Sequence, residues 1–121
     1  MIKTFQLIYI KVYKNNNSFG ENLKIQFMII LQIEHEVPSF EGWKKAFVND
    51  PIDRRKAGVR RYKIYQKTDN PNYVLIDLEF DGLKEAENTF AALQNLWKKV
   101  DGKIIISPKI RMLNLVESKE L

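Results

Sequence analysis

Tyr73-Val74-Leu75-Ile76-Asp77-Leu78-Glu79-Phe80 is the stretch on which the fold turns. Successive side chains of a strand point to opposite faces. Val74, Ile76, Leu78 and Phe80 therefore define one wholly apolar face, and Tyr73, Leu75, Asp77 and Glu79 define a mixed one. A strand this regular must lay its even positions on a core and its odd positions on something less oily.

Working outward, Lys67-Thr68-Asp69-Asn70-Pro71 reads as a hairpin loop and Val59 to Gln66 as the strand before it. Downstream, Asp81 is a candidate cap for a helix whose buried stripe is Leu83, Ala86, Phe90, Leu93 and Trp97, ended at Asp101-Gly102. Lys109 to Val116 is a last strand. Upstream, Ile29 to Val37 alternates as a strand and Pro38 stops it. Ser39 can cap a helix carrying Phe40, Trp43, Ala46 and Phe47 on one face. Asn49-Asp50-Pro51 ends that helix, and Pro51 to Ala57 is a polar loop. From Ile29 the order is β-α-β-β-α-β, a ferredoxin-like α+β domain with both helices on one face of an antiparallel sheet.

Residues 1–27 stand apart. Thr4 to Tyr13 is strand-like, and Asn15 to Gly20 is a turn or linker. The segment is either an extra edge strand or an accessory leader, because residues 28–121 complete a fold without it. The N-terminal apolar run is short and meets Lys11 at once, which does not suit a signal peptide.

Composition narrows the functions. A chain of 121 residues is one domain by size, able to bury ~65% of its unfolded surface. It has no cysteine, which removes disulfides, thiolate metal sites and cysteine nucleophiles and fits a cytoplasmic setting. One histidine cannot build a His-rich metal site within a subunit, so no metal and no cofactor are expected. The formal charge is +5, but residues 1–27 hold four lysines against one glutamate, leaving +2 for the rest. Such a domain lacks a dominant phosphate-binding field, and no apolar run approaches a membrane span. Nucleic acid and membrane are not expected partners. The RNA-recognition fold shares this topology, but Asp77 and Glu79 would repel phosphate where that fold stacks bases.

The open face of the sheet predicts a partner. If the hairpin has no bulge, Arg61 lies opposite Asp77 and Tyr65 opposite Tyr73 on that face. The first strand adds Ile30, Gln32, Glu34 and Glu36; the last adds Lys109, Arg111, Leu113 and Leu115. The face is too oily for water and too charged for a core, which suits a homodimer. A monomer with a solvated face is the alternative.

Ile33-Glu34-His35-Glu36-Val37, Trp43-Lys44-Lys45-Ala46-Phe47, Asp50-Pro51, Arg54, Gly58-Val59-Arg60-Arg61-Tyr62 and Asn72-Tyr73-Val74 resemble the dimeric α+β barrel superfamily. The likeness covers about residues 28–117 and is nearest to its small uncharacterised bacterial members. It extends distantly to antibiotic-biosynthesis-type monooxygenases. It implies two sheets closing face to face into a barrel, with any pocket inside the barrel or between sheet and helices. It also implies a range of activities: cofactor-independent oxygenases, isomerases, haem-degrading enzymes and stress proteins. The haem-degrading branch needs an Asn, Trp and His set that this sequence does not match.

Several side chains are candidates, each with a plainer reading. His35, the one group that ordinarily titrates near neutrality, is a candidate general acid or base near Trp43; the plainer reading is a strand-end histidine bonded to backbone. Trp43 and Phe47 suit the wall of a pocket for a flat ligand, or plain core. Glu34, Asp77 and Glu79 suit a paired-carboxylate site, or an ion-pair network with Arg61 and Arg111 across a dimer. Asp53-Arg54-Arg55-Lys56 with Arg60 and Arg61 suits an anion, or a solvated loop. Together with Tyr65 and Tyr73 these make the candidate binding set. The expected function is that of a small-molecule-binding domain, an oxygenase or isomerase of a small aromatic or apolar substrate. The alternative is a non-catalytic dimeric interaction or stress protein. A cavity of at least ~300 Å³ beside His35 and Trp43 separates the two.

Overall fold

The computed structural model describes residues 28–121, so the strand-like leader lies outside the described residues. The chain runs β1 (Ile29–Glu36), α1 (Phe40–Val48), α2 (Arg54–Ala57), β2 (Val59–Lys67), β3 (Asn70–Phe80), α3 (Leu83–Val100) and β4 (Ile106–Asn114). The sheet has the order β2-β3-β1-β4 with every pair antiparallel, which is the ferredoxin-like arrangement.

Alternation decides the layers. On β3 the side chains of Val74, Ile76, Leu78 and Phe80 are buried, and on β1 so are Ile29, Leu31, Ile33 and His35. They meet Trp43 from α1 and Ala86, Thr89 and Leu93 from α3, so the helices cover one face alone. The other face carries the odd positions of β3 and, from Arg61 to Tyr65, those of β2, while a bulge before Arg61 turns Val59 to the core.

Local chemistry sets most boundaries. Ser39 caps α1 by accepting the amide of Gly42 at 3.2 Å. The expected polar loop contains a one-turn helix, α2. Asp53 accepts the Lys56 amide at its start, and Gly58 closes it at φ 102°, a conformation that costs glycine little.

Three expectations need correction. The β2–β3 turn is tighter than a five-residue loop: Lys67 pairs with Asn70, and Gln66 already pairs with Val74. Pro71, which has no amide to give a ladder, lies in the three-residue excess on β3. The register therefore moves by two, so Arg61 faces Glu79, Lys63 faces Asp77 and Tyr65 faces Leu75. A shift of two keeps every side chain on its assigned face. Second, Asp81 does not cap α3: Gly82 occupies that position, and Asp81 lies 3.4 Å from Arg60 instead. Third, Leu83 is exposed, and Thr89 takes a place in the buried stripe.

Candidate functional site

The candidate residues divide between the two faces of the sheet. His35, Trp43 and Phe47 come together on the helix side. Arg61, Tyr65, Tyr73 and Asp77 lie on the open side and share no pocket with them.

The helix-side group lines a cavity of about 260 Å³ between the sheet, α1 and α3. That is short of the ~300 Å³ lower end of ordinary ligand sites, yet it is space a filled core would not leave. Ile33 and Ile76 form its floor, Trp43 and Phe47 one wall, and Leu93 and Trp97 the other. An aromatic run braces the first wall: Phe40, Trp43 and Phe47 stack successively with centroids 5.7 and 5.2 Å apart. His35 meets Trp43 edge-on at 5.8 Å.

His35 is 2% exposed, and its Nδ1 lies 3.2 Å from the carbonyl oxygen of Glu36. Only a protonated Nδ1 can donate to that oxygen, so the neutral ring carries an acceptor at Nε2. Nε2 has no protein partner among the described residues. Burial holds the imidazole below its ordinary pKa, with the Glu36 carbonyl opposing weakly. The backbone-bonded histidine and the cavity-lining histidine are therefore the same arrangement: one nitrogen anchors, the other is available.

Sequence reasoning missed one residue here. Arg54 was one member of a basic run; the fold separates that run and turns Arg54 toward the cavity, with its side chain 14% exposed. Its guanidinium lies 3.8 Å from the centroid of Phe47 and 5.1 Å from that of Tyr62. Nothing in a charge run says which member turns inward. The signal, had it been weighed, was the aromatic pair Phe47 and Tyr62 on neighbouring elements, able to hold a planar cation.

On the open face the carboxylates are already satisfied within one chain. Asp77 accepts from Gln32 at 2.9 Å and from the Tyr65 hydroxyl at 2.8 Å. Glu34 accepts from Arg111 at 2.6 Å and from the Tyr73 hydroxyl. Arg111 also donates to Gln32 at 2.6 Å, which joins the two clusters. Glu79, 4% exposed, accepts from Arg61 at 3.0 Å and has Lys63 at 3.6 Å. The hydrogen bonds from Tyr73 and Arg111 lower the pKa of Glu34, and the bond to Glu34 raises that of Tyr73. Glu34 is thereby held away from the protonated form that acid catalysis needs. The face behaves as an ion-pair network closed inside one chain, not as the paired-carboxylate site.

The arrangement belongs to the class of ferredoxin-like α+β domains with a cavity under the helices. Solved structures that match the chain share its fold, two of them as follows. A protein from Shewanella oneidensis matches with a TM-score of 0.55 at 21% identity, over 75% of this chain and 93% of that one. A dimeric ferredoxin-like protein from an uncultured marine organism matches with a TM-score of 0.54 at 9% identity, over 78% of this chain and 99% of that one. Identities this low show the fold alone. No protein-family model matches the chain, and no curated protein matches it significantly. Among the described residues, no helix is long and apolar enough to cross a membrane.

Proposed function

We propose that this domain works as a homodimer and binds a small, single-ring or similarly compact apolar ligand in the cavity beside His35. The cavity carries the proposal: an apolar space whose wall holds one neutral imidazole with an acceptor that no described residue uses. Such a group orients a ligand that brings an O–H or N–H, because an unmet polar atom in apolar surroundings gains most from a partner. The same nitrogen is placed to take a proton, the step that both cofactor-independent oxygenation and isomerisation of an activated C–H or O–H require.

The dimer rests on the open face. Tyr65, Leu113 and Leu115 are 43%, 39% and 39% exposed there, beside half-buried Ile30, Tyr73 and Leu75. Glu34, Glu36, Asp77 and Glu79 are interleaved with Arg61, Lys63, Lys67, Lys109 and Arg111. A nearly balanced, internally paired face can meet its own copy without net repulsion. The likeness in fold to a dimeric ferredoxin-like protein supports a dimer as such.

Trp43 and Trp97, the two tryptophans of the chain, both line the cavity, so their fluorescence reports its occupancy. Phenol and indole should change that fluorescence saturably and raise the melting temperature. Ala46→Leu, which pushes a side chain into the same space, should abolish the response while keeping the protein folded. A wild-type protein indifferent to ring compounds, neutral and acidic alike, at millimolar concentration would leave the cavity without a role.

A further inference from the structure

The cavity wall contains a charge that an apolar ligand would not use. Resting on the reading of the cavity as a ligand site, we propose that its ligand is an acid: a small amphiphile whose ring or chain fills the apolar space and whose carboxylate is held by Arg54.

A guanidinium has five N–H donors. Nη1 of Arg54 donates to the carbonyl oxygen of Phe47 at 2.8 Å and lies 3.3 Å from Oδ1 of Asp50. Nε and Nη2 have no protein partner among the described residues. A largely buried cation with one edge fully provided and the other idle is poised for a second, planar acceptor. A carboxylate matches that edge with two parallel hydrogen bonds; a hydroxyl or an amide cannot.

The setting favours this use over a structural one. Phe47 and Tyr62 flank the guanidinium with 3.8 and 5.1 Å from its carbon to their ring centroids, so little side-chain freedom remains to be lost on binding. The Phe47 carbonyl and Asp50 grip one nitrogen, which directs the rest. Asp50 itself sits at φ 55° and accepts the Arg54 backbone amide at 2.8 Å, so the turn of chain is built around this one residue. Asp50 meets the guanidinium through one oxygen at Nη1, which leaves the Nε–Nη2 edge unclaimed by it. His35 lines the same cavity, which gives a hydroxyl or N–H on the acid's body an acceptor of its own.

Phenylacetate and phenylacetamide share a ring and differ at the head group. Titrated into the full chain and read by tryptophan fluorescence and calorimetry, the acid should bind about tenfold tighter than the amide, the gain of a charge-assisted pair over a neutral one. Arg54→Gln should bring the acid-to-amide ratio to about one. Asp50→Asn keeps the acceptor for the Arg54 amide and removes the competing charge, so it should raise the ratio; a misfolded variant cannot give that result. Equal binding of acid and amide by the wild type, or an unchanged ratio in Arg54→Gln, overturns this inference and leaves the cavity reading standing. Binding of neither compound overturns both.

Discussion

Asp77→Lys tests the open face. The substitution removes the acceptor for Gln32 and Tyr65 and sets a cation opposite Lys63, its cross-strand neighbour. Directly opposed side chains stand ~5 Å apart. Two unit charges at that distance repel by ~1 kcal/mol in water and by ~3 kcal/mol at an effective dielectric near 20. In a monomer the face is wet and the smaller figure applies; under a second subunit the larger one does. The difference, ~2 kcal/mol, counts once per protomer, giving ~4 kcal/mol per dimer. Glu79 lies 3.6 Å from Lys63 and offsets part of it, so about half is a fair floor. A loss of ~2 kcal/mol weakens the dimer ~30-fold. Sedimentation velocity over a concentration series reads this as a rise in Kd, with Glu41→Lys on the exposed side of α1 as a control of equal charge. If Asp77→Lys dimerises as tightly as Glu41→Lys, the open face is not where the copies meet. A wild type with the mass of one chain at micromolar concentration would refute the pairing itself.

The His35 imidazole is held below its ordinary pKa by burial, so the unfolded chain binds its proton more readily than the folded one. Its contribution is therefore complete above about pH 6.5 and is lost as pH falls below that, by at most ~1.4 kcal/mol per pH unit. Urea denaturation from pH 7.5 to 4.5 should show this slope in the wild type and a shallower one in His35→Gln; parallel profiles would contradict the burial argument. Thr89 is 2% exposed and its Oγ1 is the buried side-chain atom left without a hydrogen-bond partner among the described residues. Thr89→Val should accordingly stabilise the protein by ~1 kcal/mol in the same assay, and a loss of stability would mean that the hydroxyl has a partner in solution.

What the sequence made legible follows a physical line. Period-two alternation on β1 and β3 is imposed by burial of one face, so it showed in the residue order and assigned faces correctly from Ile30 to Leu115. Register was not legible in the same way, because Pro71 adds residues to one strand of the hairpin and leaves the parity unchanged. The cap of α3 was misread for a related reason: Asp81 is a good capping residue, but Arg60 across the sheet edge competes for its carboxylate. The site was half legible. Trp43, Phe47 and His35 could be grouped because a helix entry follows a strand end directly. Arg54 could not, since its direction depends on two rings, Phe47 on α1 and Tyr62 on β2, that stand fifteen residues apart in sequence and meet edge to face only after folding.

The two faces of one strand carry two separable properties, which makes a last prediction. Along β1, Ile33 and His35 point to the cavity while Gln32, Glu34 and Glu36 point to the open face. Among the described residues, the cavity lies between the sheet and the helices, from Ile33 on β1 to Ile105 before β4, on the side of the sheet away from Asp77. Asp77→Lys should therefore yield a monomer that still binds phenol or indole within about threefold of the wild type, since sites without shared contacts act almost independently. Fluorescence titration of that variant checks it, below and above the wild-type dimer Kd. If breaking the dimer also empties the cavity, then the sheet is not the rigid divider that its hydrogen-bonded register implies, and the pairing of copies shapes the site through it.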